Sequence, residues 1–444
     1  MSTPDVYHVK PILTPFFREV TIPGSKSITL RALLLASLAD GTSTLTNVQF
    51  GDDVRNLLSC LFALGYEPII DEAAQIITLS GKPPLAKAKI NVGKSGVTAR
   101  FLTAILATSK GEYLIDASAQ MKKRPMSPLL SVLESLGAEI DFIENHGHFP
   151  FRLKGKPLDG GEVCLDSSQS SQFLSALLLC TPLFDETLSD ESLAEKPSPQ
   201  SLPPHKSHCI YTGEKVTSPS YIDMTVKMMG DFGVLVSCGD SGTYTIAAGQ
   251  RYRACDYTIA PDMTSASYFF AAALLLGGTV LVNNVPESIK QDDFPFIQLL
   301  VSMGGEITRT DKGISFSKTG GVFPGVDVDM SDMGEQALTL AALAPFATSP
   351  TTIRNVGHIR FHECDRLAAI SRELTKMGIK CSDIPDGIVI YPGKPKPTLV
   401  ETYDDHRVAM AFSLIGLRVK GIRIANPACV VKTFPDFFAV MQGS

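Results

Sequence analysis

The nine cysteines of this chain form no CxxC pair and no paired spacing. That excludes a disulfide framework and a zinc site, and it favours a reducing compartment. No apolar run reaches the length of about 20 residues that spans a bilayer. The opening MSTPDVYHVKPILTPFFREV has no apolar signal core and carries acids, so it reads as neither a secretory nor a transit peptide. There is no basic excess either. The net charge of −6 offers no general attraction to nucleic acid or membrane, so any anion must be held by a local cluster. A cytoplasmic protein is expected.

What the chain does have is a repeat. At 444 residues and 44% hydrophobic it can build two or three cores. A turn between an Ala/Leu-rich helix and a β-rich strand recurs at Gly41, Gly111, Gly278, Ser349 and Gly421, at intervals of 70, 167, 71 and 72 residues. A second marker, LGYE, LGAE, FGVL, MGGE and MGIK, falls at Gly65, Gly137, Gly233, Gly304 and Gly378, and again shows an excess between 137 and 233. The excess is the Pro/Ser/acid-rich stretch 184–209, which reads as a surface loop. The spacing therefore predicts six copies of a βαβαββ unit of about 70 residues. The sixth stops short after FFAVMQ, and PILTPFFREV near the N-terminus is expected to complete it. Two similar α/β domains follow, one discontinuous (1–22 with 256–444) and one inserted (23–255). A one-dimensional solenoid is the alternative.

The openings of the six first helices carry the chemistry. They read PGSKSITLR, GKSGVTARF, SSQSSQFLS, PDMTSASYF, SDMGEQALT and YDDHRVAMA. Ser, Thr, Asp and Gly there are ordinary caps. Lys26 with Arg31, Lys94 with Arg100, and His406 with Arg407 are not. A helix start already carries about half a positive charge, so a cation there costs roughly 0.3–1 kcal/mol. Such placement becomes favourable when an anion is held by backbone N–H groups, dipole and side chains together. MKKRPMSPL, FHECDRLAA and VVKTFPDFF add Lys122, Lys123, Arg124, Glu363, Arg366 and Lys432. GKS at 93–95 is not a phosphate loop, because position 88, where that loop needs Gly, is Ala.

From PGSKSITLR through MKKRP, SSQFLSALL, YIDMT, SASYFFAAA, RNVGHIR, ECDRL and YDDHRVAMAFSL to KTFPDFF, the chain resembles the 5-enolpyruvylshikimate-3-phosphate synthase family. The resemblance implies the enolpyruvyl transferase fold, an inverse αβ barrel of six βαβαββ units in two domains. It implies transfer of the enolpyruvyl group of phosphoenolpyruvate to the 5-hydroxyl of shikimate 3-phosphate through a tetrahedral intermediate, with no cofactor and no metal, in a monomer. By resemblance, Lys26, Ser27, Arg31, Ser170, Ser171, Gln172, Ser218, Tyr221, Glu335, Asn355 and His362 meet shikimate 3-phosphate. Lys26, Gly96, Arg124, Gln172, Arg366, Arg407 and Lys432 meet phosphoenolpyruvate. Lys26, Glu335, Glu363 and His406 match catalytic positions. The residues support that chemistry independently: a carboxylate to take a hydroxyl proton, an acid for the methylene carbon, and cations for two phosphates and a carboxylate.

Several positions depart from the family pattern. Glu335 stands where Asp is usual, His362 where Lys is usual, Lys94 and Val97 replace an amide and a hydroxyl, and Phe101 stands where Pro is common; the last three bear on glyphosate sensitivity. The alternatives are a UDP-N-acetylglucosamine enolpyruvyltransferase and a catalytically impaired anion-binding relative. The first places a Cys in the loop that here reads MKKRP, and no Cys lies between 60 and 164.

Overall fold

The computed structural model describes residues 5–184, 207–213, 216–286 and 294–443. Most of the 184–209 insert lies outside these. The chain divides into two compact units, a discontinuous one (Met1–Lys26 with Ala260–Ser444) and a continuous one (Ser27–Ile259). No helix among the described residues is long and apolar enough to cross a membrane.

Each repeat builds a small mixed sheet. In the second, Lys87–Asn91 runs parallel to Gly111–Asp116, which is antiparallel to Phe151–Gly155, itself antiparallel to Glu139–Phe142. The parallel step requires a crossover, and the helix Gly96–Thr108 supplies it. The first-second-fourth-third strand order recurs in the third repeat (Glu162–Cys164, Ser207–Tyr211, Thr243–Ala247, Val236–Gly239) and the fifth (Asp327–Asp329, Thr351–Arg354, Gly387–Ile390, Cys381–Ile384). Burial alternates along Phe151–Gly155, so one sheet face meets the core and the other meets solvent.

The first and fourth repeats exchange their first strands. Phe16–Val20 precedes the first repeat's helix but pairs in parallel with Gly278–Val282 of the fourth. Tyr257–Thr258 precedes the fourth repeat's helix but pairs in parallel with Thr42–Thr46 of the first. The strand at Phe16–Val20 therefore completes the fourth sheet and not the sixth, contrary to expectation. The sixth sheet (Leu399–Val400, Arg423–Ala425) is completed by Val6–His8, antiparallel to Arg423–Ala425. Gly278 admits the close approach: it sits at φ 122° against the Phe16 backbone, where a Cβ would collide with the Phe16 carbonyl.

The first helices form the cores. Every residue of Gly96–Thr108 is buried, and Ser171–Cys180 packs on it in the continuous unit. Met263–Leu276, Ala337–Leu343 and His406–Arg418 pack on one another in the discontinuous unit. These helices are apolar all round because they are enclosed all round. At roughly 1.5–3 kcal/mol for each large side chain removed from water, these contacts dominate the stability of each unit and fix where the helix starts lie.

Candidate active site

In the discontinuous unit, Arg366 opens the helix Arg366–Lys376 and is fully buried. A buried cation needs both charge and hydrogen-bond partners, and all five N–H donors of Arg366 have them. Asp405 accepts from Nε at 2.8 Å and from Nη2 at 3.3 Å. Glu363 accepts from Nη2 at 3.0 Å, Glu335 from Nη1 at 3.1 Å, and His362 Nδ1 from Nη1 at 2.8 Å. Burial opposes the charge of Arg366, but the carboxylates of Asp405, Glu335 and Glu363 outweigh it and hold its pKa well above the ordinary value. Lys432 Nζ donates to Glu363 at 2.8 Å, and Arg407 Nε is paired with Glu335. Lys26, at the start of Lys26–Leu38, acts electrostatically on His406. The group thus sets four cations (Lys26, Arg366, Arg407, Lys432) against three carboxylates.

The two histidines of the group are neutral. Burial and Arg366 bring His362 down to about 3, which agrees with Nδ1 accepting a hydrogen bond. Burial, then Arg407, Lys26 and Lys432, hold His406 well below its usual value. Glu335 is the reverse case. Its burial favours protonation, but Arg407 and Arg366 keep the carboxylate ionised well below the ordinary range.

A strained turn delivers Asp405 and Arg407. Tyr403 and Asp404 are both left-handed, at φ 54° and 57°, which costs roughly 1–2 kcal/mol each for a non-glycine residue. Asp405 then caps His406–Arg418, accepting from Arg407 N at 2.9 Å. The Tyr403 hydroxyl donates to Glu373 Oε1 at 2.6 Å, and Asn426 Nδ2 donates to Asp404 at 3.3 Å.

In the continuous unit, Arg31 is also fully buried, but its partners are neutral. It donates to Thr225 Oγ1 at 2.8 Å, Ser27 O at 3.2 Å, Ser175 Oγ at 3.4 Å and Tyr221 O at 3.4 Å, and its guanidinium lies 5.1 Å from the Phe101 ring centroid. Burial lowers its pKa to about 10, with Tyr221 acting the other way. Nearby in sequence, Ser95 caps Gly96–Thr108, and a Cβ on Gly96 would lie 2.8 Å from Arg124 Nη1 and 3.0 Å from Arg100 Nη1. Gly96, Arg100 and Arg124 therefore converge on one helix start, the arrangement that binds anions. Arg100 Nη1 donates to Gln172 Oε1 at 2.5 Å, and Ser170 caps the helix that begins at Ser171, accepting from Gln172 N at 3.3 Å. Ser218 sits at φ 50°, where Pro219–Asp231 begins.

The EPSP synthase (3-phosphoshikimate 1-carboxyvinyltransferase) family matches residues 13–202 and 205–441 of this chain. The chain belongs to the EPSP synthase family. A 3-phosphoshikimate 1-carboxyvinyltransferase of Nostoc punctiforme is 41% identical over 441 residues, covering 98% of each chain. One of Serratia proteamaculans is 40% identical, covering 94% of each. The EPSP synthase of Acinetobacter baumannii has the same fold, with a TM-score of 0.78 at 24% identity over 99% of this chain and 98% of that one.

Among the residues matched to the family, the discontinuous unit brings Lys26, Glu335, His362, Glu363, Arg366, His406, Arg407 and Lys432 into one group. The continuous unit gathers Ser27, Arg31 and Tyr221 around one guanidinium, and Gly96, Arg124 and Gln172 around Arg100. Asn355 does not join the Arg366 group. It is exposed and left-handed at φ 57°, and its Nδ2 donates to Asp329 at 2.7 Å. His358, three residues on, has its ring 5.7 Å from that of His362. Asp405, Tyr268, Thr225 and Ser175 were not singled out from sequence. Asp405 lies inside YDDHR, where a cap is also an ion-pair partner. Tyr268 lies inside SASYF; burial pushes its hydroxyl up to about 12, with Arg407 acting the other way.

Proposed function

We infer that this chain transfers the enolpyruvyl group of phosphoenolpyruvate to the 5-hydroxyl of shikimate 3-phosphate and releases phosphate, in the cytoplasm, as a monomer. The observation that carries this reading is the Arg366 group. A base, neutral imidazoles and four side-chain cations stand together in a chain of this family, and the reaction joins two anions while moving protons.

The donor is assigned Lys26, Gly96, Arg124, Gln172, Arg366, Arg407 and Lys432. Shikimate 3-phosphate is assigned Ser27, Arg31, Ser170, Ser171, Gln172, Ser218, Tyr221 and Asn355, with Lys26, Glu335 and His362. Glu335 takes the proton of the 5-hydroxyl as its oxygen bonds to C2 of the donor. Lys26 protonates the donor's methylene carbon, giving a methyl group and a tetrahedral carbon. The C–O bond to phosphate then breaks, the methyl group returns a proton, and the enol ether remains. The cations hold the charge that collects on the departing phosphate. Glu363 and His406 position Lys432 and the donor. Mixing the protein with both substrates and following phosphate tests the reading: release must require both.

A further inference from the structure

Arg366 is held by three carboxylates, and they are not equivalent. Asp405 is fully buried, binds Arg366 through both oxygens and also caps a helix. Glu363 is 12% exposed and divided between Arg366 and Lys432. Glu335 is the most exposed of the three, at 21%, and belongs to a single turn of 3-10 helix, Gly334–Gln336, instead of a regular helix. Its Oε2 meets Nη1 of Arg366 and Nε of Arg407 together. Two guanidiniums closing on one carboxylate is the arrangement that recognises a free carboxylate ligand.

Resting on the donor assignment above, we propose that the Glu335 carboxylate and the donor's carboxylate compete for Arg366 and Arg407, so that donor binding releases Glu335 to act as the base. The alternatives within the group are weaker. Displacing Asp405 would leave the capped helix start and Arg366 Nε unsatisfied, and displacing Glu363 would take a shared carboxylate from Lys432 as well as from Arg366. Glu335 alone can leave with its place filled by a like group. Its basicity fits the same sequence of events. Held by two guanidiniums the carboxylate is a poor proton acceptor, and once the donor's carboxylate takes those guanidiniums its affinity for a proton rises toward the ordinary range. Donor binding and base activation become one event, which keeps the base quiet until the donor is in place.

The test is titration calorimetry of phosphoenolpyruvate alone into wild type, Glu335→Gln and Glu335→Asp, with melting curves on all three. Competition predicts that Glu335→Gln binds the donor tighter by roughly tenfold or more, the scale of a lost charge-assisted bond, although its turnover falls by roughly 10²–10⁴. Glu335→Asp keeps the charge and is too short to bridge both guanidiniums, so it binds tighter by about threefold or more. Unchanged or weaker binding in both variants overturns the proposal. Tightening in Glu335→Gln alone also overturns it, because loss of a nearby negative charge then suffices. A wild type that turns over both substrates while the variants fail to tighten removes only the competition. A wild type that neither binds the donor nor releases phosphate removes the enolpyruvyl-transfer reading and the competition with it.

Discussion

The Tyr403 hydroxyl donates a 2.6 Å hydrogen bond to Glu373, and Glu373 lies two turns along the helix that Arg366 opens. Residues seven apart share a helix face. The segment before His406 is therefore fastened to that face twice, through Asp405 on Arg366 and through Tyr403, with Glu401 N at 3.2 Å, on Glu373. This pairing keeps a left-handed Tyr403–Asp404 turn in place. Tyr403→Phe leaves a buried carboxylate one partner short, at about 1–3 kcal/mol. The expected outcome is a fall in Tm of several degrees and a drop in kcat/KM for phosphoenolpyruvate. A variant with unchanged melting and unchanged kinetics would mean that the bond does not hold the turn.

Arg31 is a buried cation whose hydrogen-bond partners are all neutral. Replacing such a group by an apolar side chain of similar size is commonly neutral or stabilising, because the desolvation cost disappears. Arg31→Met is expected to melt at or above the wild-type temperature while its affinity for shikimate 3-phosphate falls by about 10–100-fold. Calorimetry on the same preparation reads both. Loss of stability without loss of affinity would make Arg31 a structural residue.

Much of this was legible in the helix starts. Lys26, Arg31, Arg100, His406 and Arg407 sit where a cation is unfavourable without an anion, and that conflict is visible in a string of letters. The turn markers revealed six units for the same local reason. Strand exchange was not legible. Phe16–Val20 alternates like any half-buried strand, and its pairing with Gly278–Val282 is decided by an edge more than 250 residues away. The role of Phe101 was hidden too: a family position that departs from Pro becomes the ring beneath Arg31. Asn355 carries a second signal, because Asn in RNV serves a left-handed turn as readily as a ligand.

Stability should fall with acid, and the sign follows from the histidines. His362 titrates near 3 when folded and near 6.5 when unfolded, so between those values the unfolded chain binds the extra proton. Each such group removes up to about 1.4 kcal/mol per pH unit as pH falls through that window. His406 acts in the same direction. Glu335, depressed when folded, adds its own loss below about 4.5. Denaturant melts of wild type and His362→Gln between pH 6.5 and 4.5 should show the variant's slope smaller by about one proton. Equal slopes would mean that His362 is charged in the folded protein.

Arg124 tests the donor assignment. With Arg124 Nη1 next to Gly96 at the start of Gly96–Thr108, Arg124→Ala removes a charge-assisted contact of roughly 1.5–3 kcal/mol. The KM for phosphoenolpyruvate is expected to rise at least about tenfold while the melting temperature is preserved. An unchanged KM would place Arg124 outside the donor's contacts.

The most direct measurement is phosphate release on mixing the protein with phosphoenolpyruvate and shikimate 3-phosphate, with and without EDTA, for wild type and Glu335→Gln. Release should need both substrates, be indifferent to EDTA because the cations are side chains, and fall by roughly 10²–10⁴ in the variant. Release from phosphoenolpyruvate alone, or a Glu335→Gln enzyme within a few-fold of wild type, would contradict it.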